Sequence, residues 1–101
     1  MNRLFATLGL CARAGKLISG EKAVITAIRA HNVCCVLLDA AAAENAVKSV
    51  TDACTFHNVP LIRTQANALG DAIGKPSRMA AAVTDAGFAK SILALAARDS
   101  L

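Results

Sequence analysis

The chain has no tryptophan and no tyrosine, and its three phenylalanines are Phe5, Phe56 and Phe88. A surface that stacks unpaired bases needs exposed rings. All three phenylalanines fall where they read as buried, so that mode of binding is not expected. Long apolar runs are also lacking, although 55% of the residues are hydrophobic and the mean hydropathy is +0.49. A bilayer span needs roughly 18 nearly uncharged residues, and the longest runs, 30–38 and 53–62, reach about half of that. The opening Met1-Asn2-Arg3-Leu4-Phe5 has no apolar signal core. Neither a membrane protein nor an exported one is expected.

The four cysteines, Cys11, Cys34, Cys35 and Cys54, contain no Cys-x-x-Cys pair. Cys34 and Cys35 are neighbours in a strand-like run and would point to opposite faces. His31 and His57 are not at zinc spacing. Reduced cysteines packed as small core residues of a cytoplasmic protein are the expected state, with no metal and no cofactor. Gly15, Gly20, Gly70, Gly74 and Gly87 match neither a dinucleotide loop nor a phosphate loop. Both histidines lie near predicted helix ends, where caps and surface positions are their common use. Glu21, Asp39, Glu44, Asp52, Asp71, Asp85 and Asp99 show no acid–base pairing at sequence level. No enzyme is expected.

A length of 101 residues suits a single domain, 1–101, with one modest core. Alanine supplies much of the hydropathy; it favours helices and lets elements approach closely. Leu4, Phe5, Leu8 and Cys11 recur at helical spacing, which predicts a helix from about Asn2 to Ala14, closed by Gly15. Lys16–Ser19 is a short strand. Ser19-Gly20-Glu21 then offers an N-cap and an acidic first turn to a helix faced by Val24, Ala27, Ile28 and His31. The run 33–38 is expected as a strand buried on both sides. A third helix over 42–56 shows Ala43, Val47, Val50 and Cys54 on one face. The strand at 59–62 carries Pro60 near its start. A short helix over 67–73 stops at Gly74, and a strand follows over 79–83. Thr84 or Asp85 caps a last helix with Phe88, Ile92, Leu95 and Ala96 inward. The alternation of strands and helices predicts an α/β sandwich with helices on both faces of a small sheet.

The net charge is +4, with a pI near 9.2. The placement of the cations is more telling than their number. Arg13 and Lys16 bracket the first helix-to-strand junction, Lys22 opens the second helix, and Lys75 and Arg78 occupy the loop before the last strand. Gathered at one end of a sheet, such junctions would present helix N-terminal amides and cationic side chains to phosphates.

Three stretches carry a resemblance over the whole chain: LGLCARAGKLISGEKAV (8–24), CTFHNVP (54–60) and LGDAIGKPSRMAAAVTDAGFAKSI (69–92). Together they resemble the YlxQ-like bacterial branch of the ribosomal protein L7Ae/L30e superfamily. The resemblance implies a three-layer α-β-α sandwich around a four-stranded mixed sheet. It implies binding to structured RNA, ribosomal or other non-coding, often at kink-turns, with the ribosome or translation-associated proteins as further partners. It places the RNA surface at Ser19, Gly20, Glu21 and Lys22 and at Ser77, Arg78, Met79 and Ala80, with Arg13 and Lys16 as backbone-contacting cations. Against the family pattern, Glu21 replaces an Asn or Lys, Lys22 replaces a Glu or Gln, and Ile25 stands where kink-turn readers often carry lysine. The acidic segment after the second strand is reduced to Asp39-Ala40-Ala41-Ala42-Ala43. A competing expectation is a protein-interaction module that kept the fold without kink-turn recognition.

Overall fold

The computed structural model describes residues 3–98, so Asn2 and Asp99 lie outside the described residues. The elements run α1 (Arg3–Arg13), β1 (Leu17–Ser19), α2 (Glu21–Arg29), β2 (Cys35–Asp39), α3 (Glu44–His57), β3 (Leu61–Thr64), α4 (Ala68–Ile73), β4 (Ala80–Val83) and α5 (Ala86–Arg98). The strands form one mixed sheet in the order β1-β4-β2-β3. β4 pairs antiparallel with β1 and β2, whereas β2 and β3 run parallel.

The sheet separates two apolar layers, as expected of an α-β-α sandwich. Cys35, Leu37, Ala81 and Val83 face α1, α4 and α5, where Leu4, Leu8, Cys11, Leu69 and Ile92 complete the layer. Val36, Leu38, Ala80 and Ala82 face α2 and α3, meeting Val24, Ile28, Val50 and Cys54. This alternation is the strand period of two, and it explains why residues 35–38 are all apolar: both faces are covered. The alanines of β4 have poor strand propensity by themselves. Their central place in the sheet overrides it, and their small side chains let the helical layers close on both sides.

Terminators act largely as the sequence suggests. Gly15 adopts φ 74° and lets the Lys16 N–H reach back to the Cys11 carbonyl at 3.0 Å. Gly74 ends α4 in the left-handed conformation. The Asp85 carboxylate accepts a 2.8 Å bond from the Phe88 N–H, capping α5.

Four expectations are corrected. Ser19 does not cap α2, because it is still in β1, in register with Ala81; Gly20 is the cap residue and supplies no side-chain bond. His31 lies beyond α2 and is exposed. Cys34 precedes β2 and is half-buried against the same layer as Cys35, since it lies in a bend and the regular strand begins only at Cys35. Phe56 is 81% exposed. It lies two residues beyond the buried Cys54, which is about 200° around the helix and therefore on its outer side. All four cysteines are free thiols. Among the described residues no helix is long and apolar enough to cross a membrane.

Candidate nucleic-acid interface

Two recesses adjoin at the end of the sheet where β1 finishes and β4 begins. The larger, about 350 Å³, is lined by Gly20, Glu21, Leu38, Ala43, Ala46, Ser77, Arg78, Met79 and Ala80. The smaller, about 160 Å³, is lined by Ala12, Arg13, Leu17, Ser19, Ile73 and Lys75. Ser19 and Gly20 are consecutive, so the backbone of the β1–α2 junction is the ridge between them.

Backbone bonds fix this end. The Gly20 N–H donates to the Ala80 carbonyl at 2.9 Å, and the Asp39 N–H to the Met79 carbonyl at 2.8 Å. The loop from Lys75 to Met79 is thereby tied to both β1 and β2. A turn bond from the Arg78 N–H to the Lys75 carbonyl at 3.0 Å shapes it further. Gly70 seats the loop from below: a Cβ there would lie 2.7 Å from the carbonyl oxygens of both Lys75 and Pro76. The Arg78 guanidinium crosses over Gly20 and donates through Nη1 to the Ser19 carbonyl at 3.3 Å.

The α2 N-terminus opens into the larger recess. Gly20 has φ 102°, and no side chain caps the helix. Its first-turn amides and the positive end of its dipole are thus turned toward the site. The recess is apolar through Leu38, Met79 and Ala80, with the Glu21 carboxylate and the Arg78 guanidinium also on its lining. Such an arrangement can enclose a flat apolar group while a carboxylate accepts from that group's amino edge. Among the described residues, Lys48–Asp52 at 3.1 Å is the one ion pair. Arg13, Lys75 and Lys22 therefore carry charge that no carboxylate neutralises at contact distance.

Of the expected site residues, nine line the two recesses: Arg13, Ser19 and Lys75 in one, and Gly20, Glu21, Ser77, Arg78, Met79 and Ala80 in the other. Lys22 is exposed on the first turn of α2 and lines neither. Lys16 lines neither recess, although its neighbour Leu17 lines the smaller; it sits just before β1, where its carbonyl accepts from the Thr84 N–H at 3.0 Å and the Thr84 hydroxyl at 3.2 Å. Ile25 is half-buried against the α2/α3 layer, so its apolar character serves packing.

Asp39 is the residue that sequence reasoning missed. It belongs to β2 and is fully buried, not part of an exposed acidic segment. Its Oδ1 accepts from the N–H groups of Ala41 at 2.8 Å and Asn67 at 2.7 Å; its Oδ2 accepts from the Leu69 N–H and the Thr64 hydroxyl, both at 3.0 Å. One carboxylate thus ties together the segments leaving β2 and β3 and the start of α4, beside the larger recess. Burial pushes its pKa up, but the three amides and the hydroxyl outweigh that and hold it below the ordinary aspartate value. The available signal was an acid directly ending an apolar strand run, where a polar side chain has to find backbone donors.

Residues 2–93 match the Ribosomal protein L7Ae/L30e/S12e/Gadd45 family. The RNA-binding protein YlxQ of Bacillus subtilis (strain 168) is 45% identical over 92 residues, spanning 90% of this chain and 92% of its own length. The RNA-binding protein YlxQ of Enterococcus faecium is 39% identical over 84 residues, covering 82% of this chain and 81% of its own. A protein of unknown function from Bacillus halodurans C has a solved structure that superposes with a TM-score of 0.89 at 34% identity, over 94% of this chain and 97% of that one. The Giardia lamblia 15.5kD RNA binding protein shares the fold at a TM-score of 0.69 and 19% identity, over 91% of this chain and 86% of its own.

Proposed function

Because this chain belongs to the Ribosomal protein L7Ae/L30e/S12e/Gadd45 family, and relatives in it are named RNA-binding proteins, we propose that it binds structured RNA without catalysing a reaction. The target class is ribosomal or other non-coding RNA in the cytoplasm, with the kink-turn as the sharper form of the reading. The observation that carries it is the pair of adjoining recesses, in which an uncapped helix N-terminus, unneutralised cations and an apolar floor meet.

In this reading Arg13, Lys75 and the α2 amides take phosphates, and the floor of Leu38, Met79 and Ala80 covers a base turned out of its helix. Glu21 accepts from amino groups on base edges and excludes carbonyl acceptors. Lys22 flanks the groove as a phosphate contact, and Lys16 meets only an RNA that extends along β1. Titrating a kink-turn RNA against a plain duplex of equal length, at two salt concentrations, tests both levels. Preference for the kink-turn supports the sharper form and equal affinity removes it. No binding at low salt removes RNA binding altogether.

A further inference from the structure

At the opposite pole of the molecule, three rings meet. Phe56 and His57 have ring centroids 5.0 Å apart at 80°, and His57 and His31 lie 5.2 Å apart at 76°. These are edge-to-face contacts, which fix the orientation of the rings. The 81% exposure of Phe56 sets it apart from Phe5 and Phe88, which are half-buried. The group is held by architecture, since α2 and α3 both run from the recess end to this pole. His57 is the last residue of α3, and His31 follows the α2 cap in a left-handed turn with φ 57°.

We propose that Phe56, braced by His57 and His31, is a second RNA contact that stacks one unpaired base. A protein partner fits this patch poorly, because stable protein interfaces bury broad surfaces with an apolar core. Here Phe56 stands alone on its helical layer: among the described residues the other large exposed apolar side chain, Leu10, is on α1 in the opposite layer. A single nucleobase needs only one ring, and the stacking tolerates any base. The surroundings suit RNA as well: Arg29 closes α2 two positions before His31, and the one acid a turn away on α3, Asp52, is already paired with Lys48 at 3.1 Å.

The geometry dictates what the RNA looks like. Ala43 lines the larger recess, and Phe56 lies near the far end of the 14-residue α3, a separation of about 20 Å at 1.5 Å per residue. A compact RNA whose bases are paired or held in the recesses offers Phe56 no free base. An RNA that carries an unpaired strand past its structured part offers it one.

The proposal rests on the structured-RNA reading, and the test separates the two. The chain has no tryptophan, so Phe56→Trp introduces a unique fluorophore at the patch. Wild type, Phe56→Ala and Phe56→Trp are titrated with a compact kink-turn hairpin, the same hairpin with an unpaired tail of about ten uridines, and the free oligouridylate. The tail is expected to tighten binding to wild type about fivefold or more. Phe56→Ala loses that gain and keeps wild-type affinity for the untailed hairpin. Phe56→Trp retains the gain, and its fluorescence is quenched by the tailed RNA alone of the two hairpins. A tail that adds nothing to wild type, or a gain that survives in Phe56→Ala, overturns the proposal; so does loss, in that variant, of a protein held in RNase-treated lysate while the tail's effect is unchanged. If neither hairpin binds at low salt, the structured-RNA reading falls by itself. The platform is then decided by free oligouridylate: quenching of Phe56→Trp upholds it, and no quenching ends it.

Discussion

Arg78 and Gly20 share one space: the guanidinium lies where a side chain at position 20 would begin, with Nη1 2.6 Å from the site of a Cβ. The loop before β4 thereby reaches over the β1–α2 junction; the φ of 102° is what requires glycine at 20, while the guanidinium, as the end of a flexible side chain, can move aside. Gly20→Ala is expected to lose about 1–3 kcal/mol, the range for a non-glycine residue forced into such backbone. It should also displace Arg78 and change which RNA is preferred. Urea unfolding together with the kink-turn and duplex titrations checks both. An unchanged midpoint and unchanged preference would show that the contact is unimportant.

Asp39 predicts a pH dependence. Its carboxyl titrates lower in the folded chain than its ordinary value of 3.8. The unfolded state therefore takes up the proton first, so the stabilisation is complete above that value and fades as pH falls through it toward the folded pKa. Asp39→Asn should lose roughly 1–3 kcal/mol at neutral pH, because in either orientation an amide NH₂ replaces an acceptor in front of backbone donors, the Ala41 and Asn67 N–H groups or the Leu69 N–H. Urea midpoints measured from neutral pH down to acid should converge for wild type and variant. Parallel curves would sink this account.

The cations should separate by position. Arg13→Ala and Lys75→Ala each remove a charge from the smaller recess, so each should weaken binding to many RNAs alike and lower the salt slope by about one unit. Lys16→Ala should change the affinity of a compact RNA much less, since it lines neither recess. Equal effects from all three would mean that the RNA runs along β1 rather than sitting at the recesses.

Thiol chemistry gives an independent check of the core. Burial pushes Cys35 up to about 12 and Cys11 up to about 11, and it raises Cys54 as well. Cys34 is only half-buried. Iodoacetamide at mildly alkaline pH should therefore label Cys34 first in the folded protein and the other three only after denaturation. Mass spectrometry of the labelled peptides decides it; early labelling of Cys35 would contradict the packing.

Much of this molecule was legible in the sequence because it depends on local rules. Helical spacing in 3–13, the apolar run before Asp39, the glycine stops at 15 and 74 and the Asp85 cap each act within a few residues, where periodicity and backbone preference decide. The chain also carried the positions of its cations. Tertiary structure alone decided which of them meet. Strand order brings Arg13 and Lys75 to one recess and Arg78 onto Gly20, while Lys16, just before β1, lines neither recess. The same holds for Asp39, whose donors lie up to 30 residues along the chain, and for Phe56, whose exposure depends on which face of α3 the sheet covers. Periodicity shows that a helix has an inner side; only the packed neighbours determine what lies across from it.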